Sequence, residues 1–482
     1  MMQPPETDMS EETYRRQRIR HWDQVMARSL RWGSARKSYQ RRLSAVYGLA
    51  IPPGQRVLEI GCGTGDLLAS LKPSFGVGID FTHAAVRAAR RRHSSLLFIE
   101  ADAHSLPIRA EFDAIVLSDL VNDLWDVQRM LEDIASLVGP RTRVLLNFFS
   151  HLWEVPLRTG ARLGAAQSTL RQNWLTSEDV ENLLRLANLE VVKHWQEVLL
   201  PLEIPLLAPF FNKFLVRFWP FRLLALANVM AARPSGPATG TEGRPSVSVV
   251  IPARNEEGNI EAVFRRVPAM GRGTELVFVE GHSRDATQSA ILEAKARHPE
   301  VSCQALQQTG TGKGDAVRLG FERARGDILM ILDADLTVPP EDLPRFYDAL
   351  VSRKGDFING VRLVYPMEDE AMRFVNLAGN KFFSLAFSWL LGQPVRDTLC
   401  GTKVLWKQDY ERIAANRSYF GDLDPFGDFD LLFGAAKLGL RIVDVPIRYR
   451  ERTYGSTNIQ RWRHGWLLLR MLGVAARRLK FV

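Results

Sequence analysis

Short apolar runs, each followed by a glycine, a proline or an acid, recur in both halves of the chain. Five lie between residues 56 and 148, and others lie at 247–251, 276–279 and 328–332. Continuous apolar runs of this length are typical of strands buried on both faces of a parallel sheet. Helical patterns separate the runs, so the sequence predicts an α/β fold with two doubly wound domains.

The boundary between these domains is predicted from composition. Residues 234–245 are rich in glycine, proline and threonine, as flexible linkers are. The first domain is therefore predicted over residues 45–233 and the second over 246–482. Residues 1–44 read as a basic helical extension that packs on the first domain, with a nucleic-acid-binding arm as the alternative.

The net charge of +9 favours contact with nucleic acid, anionic lipid or phosphorylated substrates. Residues 459–482 carry six cations and no acid, interleaved with tryptophan and leucine. This pattern predicts either an interfacial membrane helix or a helix packed on the second domain. Residues 199–230 are apolar, aromatic and broken by proline. We expect them to close the first domain or cover its acceptor pocket, with a membrane or partner surface as the alternative.

The predicted location is the cytoplasm, with peripheral contact at the inner face of the cell membrane as an option. Three widely spaced cysteines make no disulfide framework and suggest a reducing compartment. The polar N-terminus has no secretory signal pattern, and no apolar run reaches the roughly 18 residues of a spanning helix.

A glycine-rich turn follows the first apolar run. It comprises Glu59, Gly61, Gly63 and Gly65, and acids end the second and third runs at Asp80 and near Asp102. The spacing differs from the G-x-G-x-x-G fingerprint of nicotinamide-dinucleotide sites. Glycine permits close backbone approach to a ligand, and an acid at a strand end can bind ribose hydroxyls.

Residues 45–200 resemble the class I S-adenosylmethionine-dependent methyltransferases, which have a Rossmann-like fold. The resemblance implies that the Glu-x-Gly-x-Gly-x-Gly turn holds the amino-acid end of S-adenosyl-L-methionine, that Asp80 holds its ribose and that Asp102 contacts its adenine. Methyl transfer requires mainly that the two reactants are aligned, so few side chains are obligatory. The sequence indicates no catalytic base for this reaction. Asp119, Asn122 and His151 are acceptor candidates, although a cap or a satisfied polar group is the more common role of such residues.

Two carboxylates, Asp333 and Asp335, end the buried run at 328–332. Alternate residues of an extended segment point the same way, so both can face one Mg²⁺ or Mn²⁺ ion that carries a diphosphate. Capping of the next helix is the alternative role. Lys313 lies in a glycine-rich loop suited to phosphate, but Gly314 follows it where a Walker loop requires Ser or Thr.

The second half resembles the inverting family 2 glycosyltransferases with a GT-A fold, and among them the polyprenyl (dolichyl) phosphate sugar transferases. The resemblance covers about residues 246–465. It implies a set of residues that bind the nucleotide sugar: Pro252, Ala253, Asn255, Glu256, Glu280, Lys313 and Asp333. It also implies that Asp333 and Asp335 bind the metal. The family often has Asp-Asp-Gly-Ser where this chain has Glu280-Gly281-His282-Ser283.

Three acids and a cationic loop are the candidates for activating or binding the acceptor of the sugar. Asp397 lies in a segment that resembles the acceptor-side loop, and Asp428 and Asp430 begin a helical pattern. One of these can act as the catalytic base toward a hydroxyl, whereas a phosphate acceptor needs no strong base. The alternative is that these acids only stabilise the positive N-terminal end of a helix macrodipole. The resemblance implies that Arg452 and Ser456 grip phosphates.

These features together predict a bifunctional enzyme. One half would transfer a sugar from a nucleotide-sugar donor to polyprenyl phosphate, or to a glycan or lipid intermediate. The other half would methylate a small molecule or a glycan. The alternative is one catalytic half with a substrate-binding module. A nucleic-acid methyltransferase is less favoured and no nucleic-acid partner is expected, because no base-reading module is present.

Overall fold

The computed structural model describes residues 11–28, 34–162, 170, 172–202, 204–235, 244–362, 374–398, 400–417, 428–447, 454 and 461–481. The chain forms two compact units. Unit 1 comprises residues 1–235 with 481–482, and unit 2 comprises residues 236–480. Each unit is built around a sheet of seven strands.

The sheet of unit 1 has the strand order β3-β2-β1-β4-β5-β7-β6, in which β7 runs antiparallel to both neighbours. Its strands are β1 Arg56–Ile60, β2 Phe75–Asp80, β3 Leu97–Glu100, β4 Ala114–Ser118, β5 Arg143–Phe149, β6 Leu189–Glu197 and β7 Ala227–Pro234. Its α-helices are α1 Glu11–Arg28, α2 Ser34–Ala50, α3 Asp66–Ser70, α4 His83–Arg92, α5 Val127–Ala135, α6 Glu154–Arg162, α7 Ser177–Leu186 and α8 Leu207–Pro209.

The sheet of unit 2 has the order β10-β9-β8-β11-β13-β12-β14, in which β13 is antiparallel to β11 and β12. Its strands are β8 Val247–Ala253, β9 Thr274–Glu280, β10 Ser302–Gln307, β11 Ile328–Ile331, β12 Phe357–Val361, β13 Lys403–Trp406 and β14 Ile442–Pro446. Its α-helices are α9 Ile260–Arg266, α10 Thr287–Arg297, α11 Lys313–Arg323, α12 Leu343–Val351, α13 Phe374–Leu391, α14 Lys407–Ala415, α15 Asp428–Lys437 and α16 Arg461–Ala475.

The predicted fold class, two doubly wound α/β domains, is confirmed. The predicted runs form parallel strands that are buried except at the edge strand β3, and β8 and β11 contain residues with no solvent exposure along most of their length. Among the parallel strands, the strand order reverses between β1 and β4 in the first sheet and between β8 and β11 in the second. Connections leave a reversal point toward opposite faces, so a crevice opens there at the carboxyl ends of the strands. The glycine turn follows β1, and Asp333 follows β11.

The structure places three segments for which the sequence allows two interpretations: the N-terminal extension, the C-terminal segment and residues 199–230. Helix α2 packs on unit 1 through the buried side chains of Leu43 and Tyr47. Helix α16 buries Leu468, Met471 and Ala475 in the core of unit 2, as the packing interpretation of the C-terminal segment expects. Within the apolar segment 199–230, residues from Ala227 onward form β7, which lies inside the sheet and was not predicted as a strand.

No helix among the described residues is both long and apolar enough to cross a bilayer.

Gly326 precedes β11 at a point where two backbones nearly touch. A Cβ atom at Gly326 would lie 2.5 Å from the backbone nitrogen of Ser248 and 2.6 Å from the carbonyl carbon of Val247. Because a backbone cannot yield as a flexible side chain can, we expect Gly326→Ala to destabilise unit 2 by about 2 kcal/mol. For a unit of this size that lowers the melting temperature by about 4–8 °C, measurable by circular dichroism.

Gly273→Ala is the matched control, because a Cβ at Gly273 meets no atom within 4 Å. This variant should melt within about 2 °C of the wild type. Equal melting temperatures for both variants would contradict the close approach of β8 and the segment before β11.

Candidate functional site

The turn after β1 adopts a backbone that favours glycine. Gly61, Gly63 and Gly65 have φ values of 77°, 51° and 74°. The N–H groups of Gly61 and Cys62 donate to the carbonyl oxygen of Ile79 at 2.8 and 2.9 Å, which ties the turn to the end of β2. Since the left-handed region disfavours side chains, glycine at these positions keeps the backbone open to a ligand.

Glu59 lies below this turn, near the end of β1. Its side chain is buried, and its Oε2 accepts a hydrogen bond from the N–H of Leu68 at 3.0 Å. Burial raises the pKa of Glu59 to about 8, and the hydrogen bond from Leu68 opposes part of that shift. A buried carboxyl of this kind would become fully ionised if a cation, such as the ammonium of an amino acid, came to lie beside it.

Asp80 ends β2, and its carboxylate faces the glycine turn. The N–H of Gly63 donates to Oδ2 and the N–H of Thr82 donates to Oδ1, both at 2.9 Å. Burial raises the pKa of Asp80, and the charge of Asp23 on α1 adds a smaller upward effect. The Oδ1 atom of Asp23 is buried and accepts no hydrogen bond from the described residues. A ribose hydroxyl can donate to such an acceptor, so this edge fits the sugar of S-adenosylmethionine.

Asp102 follows β3 and already has partners on both oxygens. Oδ1 accepts hydrogen bonds from the backbone and the ring Nδ1 of His104 at 2.9 Å, and Nε of Arg15 lies 2.9 Å from Oδ2. The hydrogen bond from His104 lowers the pKa of Asp102, and the same bond raises the pKa of His104. The adenine contact expected of Asp102 would share these oxygens with Arg15 and His104.

Helix α1 packs against this edge of unit 1, as the sequence predicts, but its contacts with Asp102 and Asp123 were not predicted. Besides Arg15, the helix contributes Arg18, whose Nε donates to Asp123 at 2.9 Å, and Trp22, whose indole donates to the same carboxylate at 2.6 Å. Both ends of the Arg18–Asp123 pair are nearly buried. Arg15, Arg18 and Trp22 recur at helical spacing, and that spacing is the signal by which the contact was detectable.

A polar cluster lies where β4 and β5 end, on the acceptor side. The Tyr39 hydroxyl donates to Asp119 at 2.6 Å, Asn147 also donates to Asp119, and the Tyr47 hydroxyl donates to Asn147 at 2.8 Å. Burial, followed by the charge of Asp119, raises the pKa values of both tyrosines well above their usual range. Asn122 is hydrogen-bonded to the backbone of Phe149 and Asn173, as the alternative of a satisfied polar group expects, and His151 is exposed.

In unit 2 the loops after β8 and β9 are hydrogen-bonded to each other. Pro252 and Ala253 end β8, and Ala253 pairs with Glu280 at the end of β9. The Asn255 side chain accepts from the N–H of Arg284 at 2.7 Å. Glu256 lies behind the loop and accepts from Asn259 at 2.8 Å. The residues predicted around the nucleotide therefore share one sheet edge.

Asp333 and Lys313 form an ion pair at the reversal point of this sheet. Nζ of Lys313, the first residue of α11, lies 2.6 Å from Oδ1 of Asp333. Burial acts to raise the pKa of Asp333, but Lys313, followed by Lys403 and Arg362, holds it below its usual value. Gly401 lies directly against the pair, so a Cβ there, 2.0 Å from Oδ2 of Asp333, would displace the carboxylate. Lys403 and Arg362 were not predicted as site residues.

Asp335 has a different partner from Asp333. Its Oδ1 accepts hydrogen bonds from the N–H and the hydroxyl of Thr337 at 3.1 and 2.8 Å. Among the described side chains, no group of three or more His, Cys, Asp or Glu residues is placed to hold a metal. Two carboxylates nevertheless suit Mg²⁺ or Mn²⁺ of the kind that takes its other ligands from substrate phosphates and water.

The acids proposed as bases are held by arginine. Asp397 accepts from Nε and Nη2 of Arg362 at 2.7 and 2.9 Å, and Asp430 accepts from Nε of Arg417 at 2.8 Å. Asp428 begins α15, but its side chain lies outside the described residues, as do Arg452 and Ser456. Both described carboxylates are thus engaged by a guanidinium group.

Comparison with known proteins identifies both halves. Residues 57–141 match the family described as "Methyltransferase domain", and residues 248–410 match "Glycosyl transferase family 2". The chain therefore contains a methyltransferase domain followed by a family 2 glycosyltransferase domain, and both predicted resemblances are confirmed. None of these matches tests the individual site residues, which stay predictions.

Two curated relatives are similar to parts of the chain. The undecaprenyl-phosphate 4-deoxy-4-formamido-L-arabinose transferase of Pseudomonas aeruginosa is 35% identical over 141 residues, which are 27% of this chain and 41% of that protein. The dolichol-phosphate mannosyltransferase of Pyrococcus furiosus is 28% identical over 247 residues, which are 49% of this chain and 67% of that protein. The chain thus spans about two fifths of the length of the first curated relatives it matches.

A solved structure of glucosyl-3-phosphoglycerate synthase from Mycobacterium tuberculosis, in complex with Mn²⁺, uridine diphosphate and glucosyl-3-phosphoglycerate, is 19% identical with a TM-score of 0.37. The match covers 49% of this chain and 80% of that one. A likeness at this level identifies neither substrate nor metal.

The pKa of Glu59 makes the stability of unit 1 depend on pH. Folding raises this pKa from 4.5 to about 8, so between these values the folded chain keeps a proton that the unfolded chain releases. The stabilising contribution is complete below pH 4.5 and is lost as the pH rises through 8. Relative to Glu59→Gln, the wild-type free energy of unfolding should fall by about 1.4 kcal/mol per pH unit within that window.

Urea unfolding at several pH values between about 5 and 8, followed by hydrogen exchange at the amides of β1, measures this difference. The variant serves as the control, because its amide resembles the protonated acid and does not titrate. Parallel stability curves for the two proteins would contradict a raised pKa at Glu59.

Proposed function

We propose that the chain is a bifunctional transferase that works in the cytoplasm. Unit 2 transfers a sugar from a nucleoside-diphosphate sugar to the phosphate of a polyprenyl lipid, with inversion at the anomeric carbon. Unit 1 methylates a small molecule or glycan with S-adenosylmethionine. The observation that carries the proposal is the Lys313–Asp333 pair beside Asp335 at the sheet's reversal point, within a family 2 domain.

Donor binding would use the edge formed by the loops after β8 and β9. Glu256, Glu280 and Asn255 would contact the nucleoside, and Asp333 with Asp335 would hold Mg²⁺ or Mn²⁺ against the diphosphate. The metal would supply charge stabilisation for the departing diphosphate. Lys313 stands at the N-terminus of α11, behind Gly312, so its ammonium and the helix amides offer positive charge to the same group.

The contacts of the candidate bases favour a phosphate as the acceptor. Asp397 and Asp430 are each engaged by a guanidinium, which suits an acceptor that is already anionic. An oxygen of that phosphate would attack the anomeric carbon, the bond from this carbon to the diphosphate would break, and the nucleoside diphosphate would leave with the electron pair. The names of the relatives, an undecaprenyl-phosphate and a dolichol-phosphate transferase, support the same acceptor class.

Methyl transfer would rest on alignment within unit 1. Glu59 and the glycine turn would position the amino-acid end of the cofactor, while Asp80 and Asp23 would accept from its ribose. S-adenosylmethionine supplies the methyl group. The cluster of Asp119, Tyr39 and Asn147 would orient the acceptor beside it and keep water out, and such alignment can account for much of the rate.

One observation favours a second candidate function, in which unit 1 only binds substrate for unit 2. Both oxygens of Asp102 are engaged by His104 and Arg15, so adenine recognition there would have to share an occupied carboxylate. A unit that retains the methyltransferase fold without cofactor binding would produce the same arrangement.

Isothermal titration separates these functions. We expect a nucleoside diphosphate to bind in Mn²⁺ and to bind at least about tenfold more weakly in EDTA or after Asp335→Asn, because a ligand carboxylate is lost. S-adenosylhomocysteine should bind the wild type and Asp335→Asn equally, and should lose affinity in Asp80→Ala. Each variant is thus the control for the other site.

Nucleotide binding that is indifferent to EDTA would contradict the metal role of Asp333 and Asp335. Failure of S-adenosylhomocysteine to bind the wild type would leave unit 1 as the binding module described above.

Asp430→Asn tests the acceptor class. If the acceptor is a phosphate, the sugar-transfer rate should change by less than about tenfold, since no proton has to be removed. If the acceptor is a hydroxyl and Asp430 is its base, the rate should fall by about 10²–10⁴-fold. The measurement is single-turnover transfer from a radiolabelled nucleotide sugar, with melting temperature as the check on folding. A large loss in a stable variant would contradict the phosphate acceptor.

A further inference from the structure

Unit 1 presents a ridge of apolar side chains to solvent. The ridge consists of residues 204–224, which connect β6 to β7 through α8 and several short helical turns. Ten large apolar side chains in it are exposed, most of all Leu206 at 87% and Trp219 at 72%. Scattered exposed leucines are ordinary, but so dense a group on one segment marks an interaction surface.

The base of the ridge is fixed to the unit, so its apolar tips cannot withdraw by a small local rearrangement. The Asn212 side chain accepts from the N–H and donates to the carbonyl oxygen of Leu200, both at 2.7 Å. Arg217 donates to the buried carboxylate of Glu197 at 2.7 Å. Ala208 and Val216 are buried beneath. The exposure of the outer side chains is therefore built into the fold.

The charges of the ridge indicate the chemistry of its partner. No Asp or Glu occurs from residue 204 to residue 226, whereas Lys213 and Arg222 are exposed there. Exposed cations without acids complement a negatively charged surface, and the tips of Leu206 and Trp219 require an apolar medium. An anionic lipid bilayer has a negatively charged headgroup layer outside an apolar acyl layer, and tryptophan is enriched at the boundary between these two layers.

We propose that residues 204–224 dock unit 1 on the surface of an anionic membrane, with Leu206 and Trp219 entering the acyl region and Lys213 and Arg222 at the headgroups. The contact deepens the proposed function, because a polyprenyl acceptor lies in such a membrane, but it does not depend on catalysis. It also differs from the interfacial interpretation of the C-terminal segment, since α16 buries Leu468 and Met471 in its own unit.

Vesicle co-sedimentation of the full chain, without nucleotide or cofactor, tests the proposal. The probes are vesicles of phosphatidylcholine alone and of phosphatidylcholine mixed with phosphatidylglycerol. The wild type should bind the mixed vesicles, and Leu206→Glu/Trp219→Glu should bind them at least about tenfold more weakly. Lys213→Gln/Arg222→Gln should weaken binding to the mixed vesicles by about fivefold per cation and should spare phosphatidylcholine binding.

Leu186→Glu is the matched control. Leu186 lies on α7 of the same unit and is 52% exposed, but it is outside the ridge, so the variant should bind as the wild type does. Circular dichroism melting confirms that each variant is folded. Because sugar transfer and methyl transfer are not measured, failure of the proposed function leaves this test intact.

Three results would overturn the proposal. The first is a wild type that binds neither kind of vesicle. The second is equal vesicle binding by the wild type and Leu206→Glu/Trp219→Glu, which would place the contact elsewhere. The third is a wild-type dimer in light scattering that Leu206→Glu/Trp219→Glu converts to monomer without any vesicle binding, which would make the ridge a contact between copies of the chain.

Discussion

The arrangement of both sites depends on one constraint, the reversal of strand order within a parallel sheet. Helices must cover both faces of such a sheet, so connections on the two sides of the reversal point leave in opposite directions and open a crevice. In unit 1 that crevice receives the glycine turn, Asp80 and the cluster around Asp119. In unit 2 it receives Asp333 with Lys313, and the loops that end β8 and β9. The two predicted sites thus occupy equivalent positions, because the reversal of strand order forms a crevice at the carboxyl ends of the strands in both sheets.

The sequence predicts the parallel strands well, because burial on both faces requires continuous apolar runs. It predicts β7 poorly. The residues before Ala227 are also apolar but form an exposed ridge, and a pattern of hydrophobicity cannot tell an apolar surface from an apolar strand. Likewise, the spacing of residues in the sequence indicates the motifs, but it does not indicate the side chains that form ion pairs with them. Arg15 reaches Asp102 across 87 positions, and Arg362 reaches Asp397 across 35, and only the folded chain brings such groups together.

Helix α1 illustrates what such distant partners do. Arg15, Arg18 and Trp22 connect the helix to acids that follow β3 and β4, so a segment that precedes the sheet in sequence lies against the edge where the cofactor site is predicted. The Oδ1 of Asp23 on the same helix is buried and accepts no hydrogen bond from the described residues. A buried acceptor without a partner costs free energy, and a ligand hydroxyl is one means of recovering it. Helix α1 of the N-terminal extension therefore contacts the sheet edge at which the cofactor site is predicted.

The cations of unit 2 bear on the chemistry of its acceptor. Transfer between two phosphate-bearing molecules brings like charges together, and two unit charges 6 Å apart repel by roughly 3 kcal/mol at an effective dielectric constant near 20. Lys313, Lys403 and Arg362 all act on Asp333, and Arg362 also holds Asp397. In the proposed transfer between a diphosphate and a second phosphate, this positive charge would offset the repulsion, and the acids would hold the cations in place.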